Sequence, residues 1–224
     1  MTDKGVRKKE RSNIHSRKTS KNPIISLSLF LPDLVSINLN YCSMLSYSAF
    51  FALFRNCPSL SEVKLKFACT GPEFMASTNN SNSSMDSLVY PQFKSLCLSN
   101  NFPLKDENLI YCLRCPKIRH LNLTNCSSLK SLEIDFEVPN LEVLDLTHTR
   151  IDDQTLYVIS KMCRGLLQLT LQLCTNVTEK GVMHVVKNCT KLREINLDDC
   201  SGVHGNVVAS MVVLSPSLRN SCST

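Results

Sequence analysis

The pattern Leu-x-x-Leu-x-Leu-x-x-Cys returns along most of this chain at steps near 26 residues. A fixed period of that length constrains architecture more than any local propensity. With the first apolar residue of each unit as anchor, the series runs Leu34, Leu60, Phe93, Ile118, Leu141, Leu166, Leu192 and Leu218, at intervals of 26, 33, 25, 23, 25, 26 and 26 residues. Three residues past the first seven anchors stand Ile37, Val63, Leu96, Leu121, Leu144, Leu169 and Ile195, and two further on stand Leu39, Leu65, Leu98, Leu123, Leu146, Leu171 and Leu197. Eight past the anchor come Cys42, Cys126, Cys174 and Cys200, with Ala68, Asn101 and Thr149 in the other units.

In an extended segment successive side chains point to opposite faces, so the paired Leu/Ile residues face a core and those between them face out. Each unit therefore supplies one short strand, and the small, weakly polar residue at the Cys position suits a buried site where the chain turns off it. Between strands the spacing becomes helical: Val182, Val185, Val186 and Cys189 share a face after the capping residue Thr178, as do Leu156, Ile159 and Cys163 after Asp152 and Asp153. The unit is expected to run strand, turn, helix and return. The chain thus reads as an α/β leucine-rich repeat solenoid, with parallel strands on a concave face and helices on the convex one.

The array is expected to cover residues 23–220 in about seven units, with a basic, disordered tail at 1–22 and a short tail at 221–224. One step is too long because of an Asn/Ser-rich excursion at 70–90, which lacks apolar periodicity. Residues 24–31 are read as the back half of a repeat, because Leu27, Leu31 and Pro32 lie 26 residues before Leu53, Cys57 and Pro58. Met1 to Val6 resembles Val177 to Val182, and Ser215 to Leu218 opens a further unit expected to stop before its strand is complete. Neither end shows a polar capping unit, so the expectation is a piece of a longer array.

Charge divides unevenly. The formal net charge is +6, and residues 1–22 alone carry eight Lys/Arg against Asp3 and Glu10, which leaves the rest formally neutral. That tail admits a nuclear-import or nucleic-acid patch, though its composition favours a solvated arm, and no nucleic-acid partner is expected. No apolar run approaches the roughly 20 residues of a membrane span, and no membrane association is expected.

Twelve cysteines raise two sharper readings. Cys112 and Cys115, with His120 and Cys126 nearby, have metal-ligand spacing, but one CxxC without a second pair is a weak zinc signal. Register accounts for the cysteines better, since Cys57, Cys115, Cys163 and Cys189 each precede an anchor by three. Reduced, buried thiols are expected, with no disulfide framework, metal or other cofactor. The five histidines are scattered and GxSxG, P-loop, HExxH and dinucleotide motifs are all missing, so no catalytic residue is assigned and no enzyme is expected.

What the repeats present is a surface. The outward strand positions give the candidate partner-binding residues Lys64, Lys66, His120, Asn122, Asp145, Gln168, Gln172, Glu194, Asn196 and Asp198, alongside Ser36, Asn38, Ser95, Cys97 and Ser99. Lys64 and Lys66 lie toward one end and Asp145, Glu194, Asp198 and Asp199 toward the other, a gradient that can orient a protein partner.

The units LVSINLNYC, IRHLNLTNCSSL, LLQLTLQLCTNVTEKGVMHVVKNC and LREINLDDCSGV resemble the cysteine-containing repeats of plant-type F-box/leucine-rich repeat proteins. Ribonuclease-inhibitor-like horseshoe arcs are relatives in architecture. The resemblance implies a protein substrate held on the concave face of an SCF-type ubiquitin ligase receptor, serving ubiquitin-dependent degradation in the cytoplasm, the nucleus or both. In that family a Skp-type adaptor and a cullin are recruited through an F-box, and residues 1–33 show none. Adaptor and cullin are therefore expected only if a longer isoform carries one. The alternative is a ubiquitin-independent repeat scaffold, decoy or immune-receptor-like fragment. A monomer is expected in either case.

Overall fold

Every residue three past an anchor, from Ile37 to Ile195, is buried at the centre of a three-residue strand whose flanking side chains are half-buried or exposed. This is the alternation that the Leu-x-Leu spacing predicts. A computed structural model describes residues 23–42, 45, 47–68, 92–102, 104, 106–215 and 218–221. The basic segment 1–22, the whole excursion at 70–90 and residues 222–224 lie outside them.

The elements run α1 (Pro23–Phe30), β1 (Ser36–Asn38), α2 (Tyr47–Asn56), β2 (Glu62–Lys64), β3 (Ser95–Cys97), α3 (Asp106–Leu113), β4 (His120–Asn122), β5 (Val143–Asp145), α4 (Asp153–Met162), β6 (Gln168–Thr170), α5 (Glu179–Asn188), β7 (Glu194–Asn196), α6 (Gly205–Leu214) and β8 (Arg219–Ser221). The protein is α/β: the eight strands form one parallel sheet in sequence order, each pairing with the next. Registers agree from pair to pair, so Ile37, Val63, Leu96, Leu121, Leu144, Leu169 and Ile195 stand in one row. With the buried Leu row behind them and the inner faces of the helices they form one continuous apolar core.

Thr178 caps α5 as expected, its hydroxyl accepting from Lys180 N at 3.3 Å, and Asp152 caps α4 by accepting from Thr155 N at 2.9 Å. That hydrogen bond stabilises the carboxylate and lowers the pKa of Asp152 from its ordinary value. Asn188 Nδ2 donates to Ser160 Oγ at 3.0 Å between α5 and α4, and Asn56 Nδ2 donates to Ser28 Oγ at 2.9 Å between α2 and α1. Residues 23–30 therefore occupy the place of a repeat helix.

Four expectations need correction. The unit from Ile118 has no helix: between β4 and β5 the chain runs extended, with Leu132 and Ile134 buried and Glu133 and Asp135 exposed. Extended chain rises about 3.3 Å per residue against 1.5 Å in a helix, so a 23-residue unit returns without one. Cys42 is exposed although its register equivalents Cys126, Cys174 and Cys200 are buried, because among the described residues no strand lies beyond β1 to cover it. Ser99, read as outward-facing, is buried with its hydroxyl 3.3 Å from the Cys97 sulfur. The last unit does complete a strand, since β8 pairs along its three residues with β7 and carries the sheet to Ser221.

One regularity is invisible in the pattern. Tyr41, Phe67, Asn100, Asn125, His148, Leu173 and Asp199, each seven past its anchor, all hold φ between 53° and 61°. A left-handed residue after each strand from β1 to β7 turns the chain toward its return path.

Candidate protein-interaction face

The sheet buries one face and leaves the other open. All ten candidate residues lie on that open side, where Lys64, His120, Gln168 and Glu194 are exposed and Lys66, Asn122, Asp145, Gln172, Asn196 and Asp198 are half-buried. Strand register brings some of them together: Asn122 is the partner of Asp145, and Gln168 of Glu194. Gln168 Nε2 donates to Glu194 Oε2 at 3.0 Å. Lys64 and Lys66, on β2 and just after it, are separated from Glu194 and Asp198 by the whole width from β3 to β6. The charge gradient is therefore a property of the stack, set by which unit each residue belongs to.

Three of the ten residues also serve the backbone. Asn122, Asp145 and Asn196 each accept a hydrogen bond at the strand end from the amide two residues on: Thr124 N at 3.0 Å, Thr147 N at 3.0 Å and Asp198 N at 2.9 Å. Asn38 does the same for Asn40 N at 3.0 Å. This local turn is what Asn and Asp favour, and it leads the chain into its left-handed residue. Asp145 does more. Its carboxylate also accepts from Thr147 Oγ1 at 2.7 Å, Asn122 Nδ2 at 3.0 Å and Thr124 Oγ1 at 3.0 Å, tying β4 to β5. Sequence reasoning read Asp145 as a contact residue. The Asp-x-Thr spacing was the available sign of its structural duty.

At the lysine end the sequence reading missed a group of rings. Tyr41 and Phe67 stack at 5.4 Å between centroids with 22° between planes, and Phe102 lies 6.5 Å from Phe67. The Lys66 ammonium sits 5.8 Å from the Phe67 centroid. Tyr41 is 65% exposed and Phe102 47%. Their common place just past the strand end was the signal that could have found Tyr41 and Phe67.

The thiols are on the other side of the chemistry. The described cysteines are free, and burial raises Cys126 to about 11, Cys163 to about 12 and Cys189 to about 11. Such groups are poor nucleophiles near neutrality. Cys126, Cys174 and Cys200 donate to the carbonyl oxygens of Leu98 at 3.2 Å, Leu146 at 3.1 Å and Leu171 at 3.0 Å, each in the preceding unit. Among the described residues no group of three metal-ligating side chains converges.

No family model matches the chain. Among curated proteins it is similar to antagonist of mitotic exit network protein 1 of Saccharomyces cerevisiae (strain ATCC 204508 / S288c), at 32% identity over 117 residues. That alignment covers 45% of this chain and 20% of the relative, so the match spans about a fifth of the relative's length. Among solved structures it is similar to a chain in the crystal structure of the Rad7 and Elc1 complex in yeast. The TM-score there is 0.47 at 17% identity, covering 88% of this chain and 64% of that one.

Proposed function

We propose that the chain is an arc of leucine-rich repeats, ribonuclease-inhibitor-like in architecture, that binds a protein on the open face of its sheet. The observation that carries this reading is the parallel sheet, in register from β1 to β7, whose outward row is polar or charged except at Cys97 and Val143 while its inward row over those strands is apolar. Such a row offers a flat series of side chains spaced about 4.8 Å apart from strand to strand, suited to a protein surface more than to a small molecule. The yeast relative is named as an antagonist, a role that binding alone can fulfil.

The finer reading is the substrate-recognition part of an F-box/leucine-rich repeat receptor of the plant type, acting in SCF-dependent ubiquitination in the cytoplasm or nucleus. It rests on the resemblance of the cysteine-containing units. The alternative is a ubiquitin-independent repeat scaffold, decoy or immune-receptor-like fragment; α1 packs on α2 through Ser28 and Asn56 as a repeat helix, so residues 23–30 belong to the stack under either reading.

The test begins with capture of a binding protein on the full chain, followed by titration of that purified protein against variants. Reversing Glu194 and Asp198 to Lys is expected to weaken binding at least about tenfold, as for charged contacts at an interface centre. Reversing tail lysines between Lys4 and Lys21 is expected to have a smaller effect. Equal losses from both sets would sink the open-face reading. Asp145 is left intact because its change would disturb the turn it holds. Co-purification of a Skp-type adaptor and cullin with the native full-length protein decides between the finer reading and its alternative.

A further inference from the structure

We infer that the edge formed by Tyr41, Phe67 and Phe102 with Lys64 and Lys66 docks an acidic segment of a partner protein that carries an aliphatic or aromatic side chain. This inference rests on the protein-binding reading above and names the chemistry of its partner at one end of the face.

The rings first need a reason to be where they are. Tyr41 and Phe67 occupy the left-handed position that Asn100, Asn125 and Asp199 fill in three other units and His148 and Leu173 in two. Asn and Asp enter that conformation readily and large aromatic residues do not, so the backbone gives no cause for rings there. Burial gives little for Tyr41 or Phe102 either, since 65% of the first and 47% of the second stay exposed. The three rings lie side by side along one edge of the stack and make a continuous apolar strip. With that much of Tyr41 and Phe102 open, and aromatic side chains covering roughly 150–250 Å² each when fully buried, a ligand lying across this strip would remove on the order of 200 Å² from water.

Charge then selects the occupant. Among the described residues neither Lys64 nor Lys66 has an ion-pair partner; the ion pairs there are Arg114 with Asp135 and Arg119 with Glu142. The Lys66 ammonium lies against the Phe67 ring, which places a positive charge at the border of the apolar strip. Within β1 to β3 the acidic strand residue is Glu62, at the opposite end of β2 from Lys64. A carboxylate next to an apolar side chain meets both features at once.

A single-stranded nucleic acid would also find rings and ammonium groups here. It carries a phosphate at every step, however, and extended across the sheet it would meet Asp145, Glu194 and Asp198. A peptide can place its acids at one end alone. The geometry therefore favours an acidic peptide segment.

The experiment titrates the full chain, by fluorescence anisotropy, with three labelled probes. These are peptides alternating Asp or Glu with Leu or Phe, the same peptides with Lys in place of the acids, and an oligothymidylate strand. The acidic peptides are expected to bind at least tenfold tighter than the basic ones, and to weaken as salt rises. The double variant Tyr41→Asn with Phe67→Asn should lose that affinity at least tenfold with no fall in melting temperature, because Asn suits the left-handed backbone. Lys64→Glu with Lys66→Glu should reverse the preference toward the basic peptides. Unchanged affinity in both variants overturns the inference, as does oligothymidylate binding tighter than any peptide in a Phe67-dependent way. A lowered melting temperature in the aromatic variant also overturns it, by showing that the rings serve the fold. If a captured native protein binds the aromatic variant normally but fails to bind after Glu194 and Asp198 are reversed, the patch is wrong and the broader reading stands.

Discussion

At the scale of single residues, the position eight past each anchor shows what the repeat requires. Cys126, Cys174 and Cys200 use the thiol as a donor to a carbonyl of the unit before. Asn101 solves the same problem with more bonds: fully buried, it donates to Leu65 O at 2.8 Å and Leu98 O at 2.7 Å, and accepts from Ala68 N at 3.2 Å. Thr149 donates to Leu146 O at 2.7 Å and lies 3.6 Å from the Cys174 sulfur. The position takes a small side chain, and the buried residues there other than Ala68 also have a hydrogen to give. Asn101→Ala should therefore cost at least about 3 kcal/mol, by leaving several buried polar groups unmet, whereas Asn101→Cys should cost about 1 kcal/mol. Urea denaturation of the two variants checks this, and equal costs would refute the donor role of Asn101. The Cys/Asn/Thr alternation was legible in the sequence as smallness, but the carbonyls that the thiols and Asn101 reach in the preceding unit became visible only with the register.

At the scale of elements, α4 and α5 were readable because their apolar residues recur on one face and their caps are the residue types that satisfy free amides. Their contact depends on something less visible. Gly181 is buried where α5 meets the first turn of α4, and a methyl group there would run into Asp153, at both its carboxylate and its Cα. That carboxylate is committed, accepting from Thr178 N at 2.8 Å and Thr178 Oγ1 at 2.5 Å. Gly181→Ala should thus destabilise the protein by about 1–3 kcal/mol through overpacking, despite the better helix propensity of Ala. A melting temperature that rises instead would show that the helices can move apart freely. The unit without a helix was less legible, because assignment by analogy with neighbouring units carried helix into it. Its own residues say otherwise: Leu132, Ile134 and Val138 are buried at even spacing, and Pro139 ends the run. A two-residue period in a short unit was the signal, and the strength of the array pattern masked it.

At the scale of the molecule, one core runs the length of the stack and its thiols set a limit in alkali. Unfolded cysteines ionise from about pH 8.5, whereas Cys126 and Cys189 hold their protons to about 11 and Cys163 to about 12. The folded state thus binds more protons than the unfolded one between these values, so stability is full below about pH 8.5 and falls as pH rises toward 11 and 12. The loss approaches about 1.4 kcal/mol per pH unit for each such thiol. Melting temperatures measured from pH 7 to 10.5 should fall steeply above 8.5, and a flat profile would contradict the burial of these groups. The strand order has its own consequence. Because each strand bonds only to its neighbours in sequence, a pull on the two ends loads the units in series. Force would then peel the chain from an edge one unit at a time, each release paying out the contour of about 25 residues, roughly 85 Å. Such a molecule behaves under tension as a zip with separate teeth, yielding length in steps while the remaining teeth stay closed.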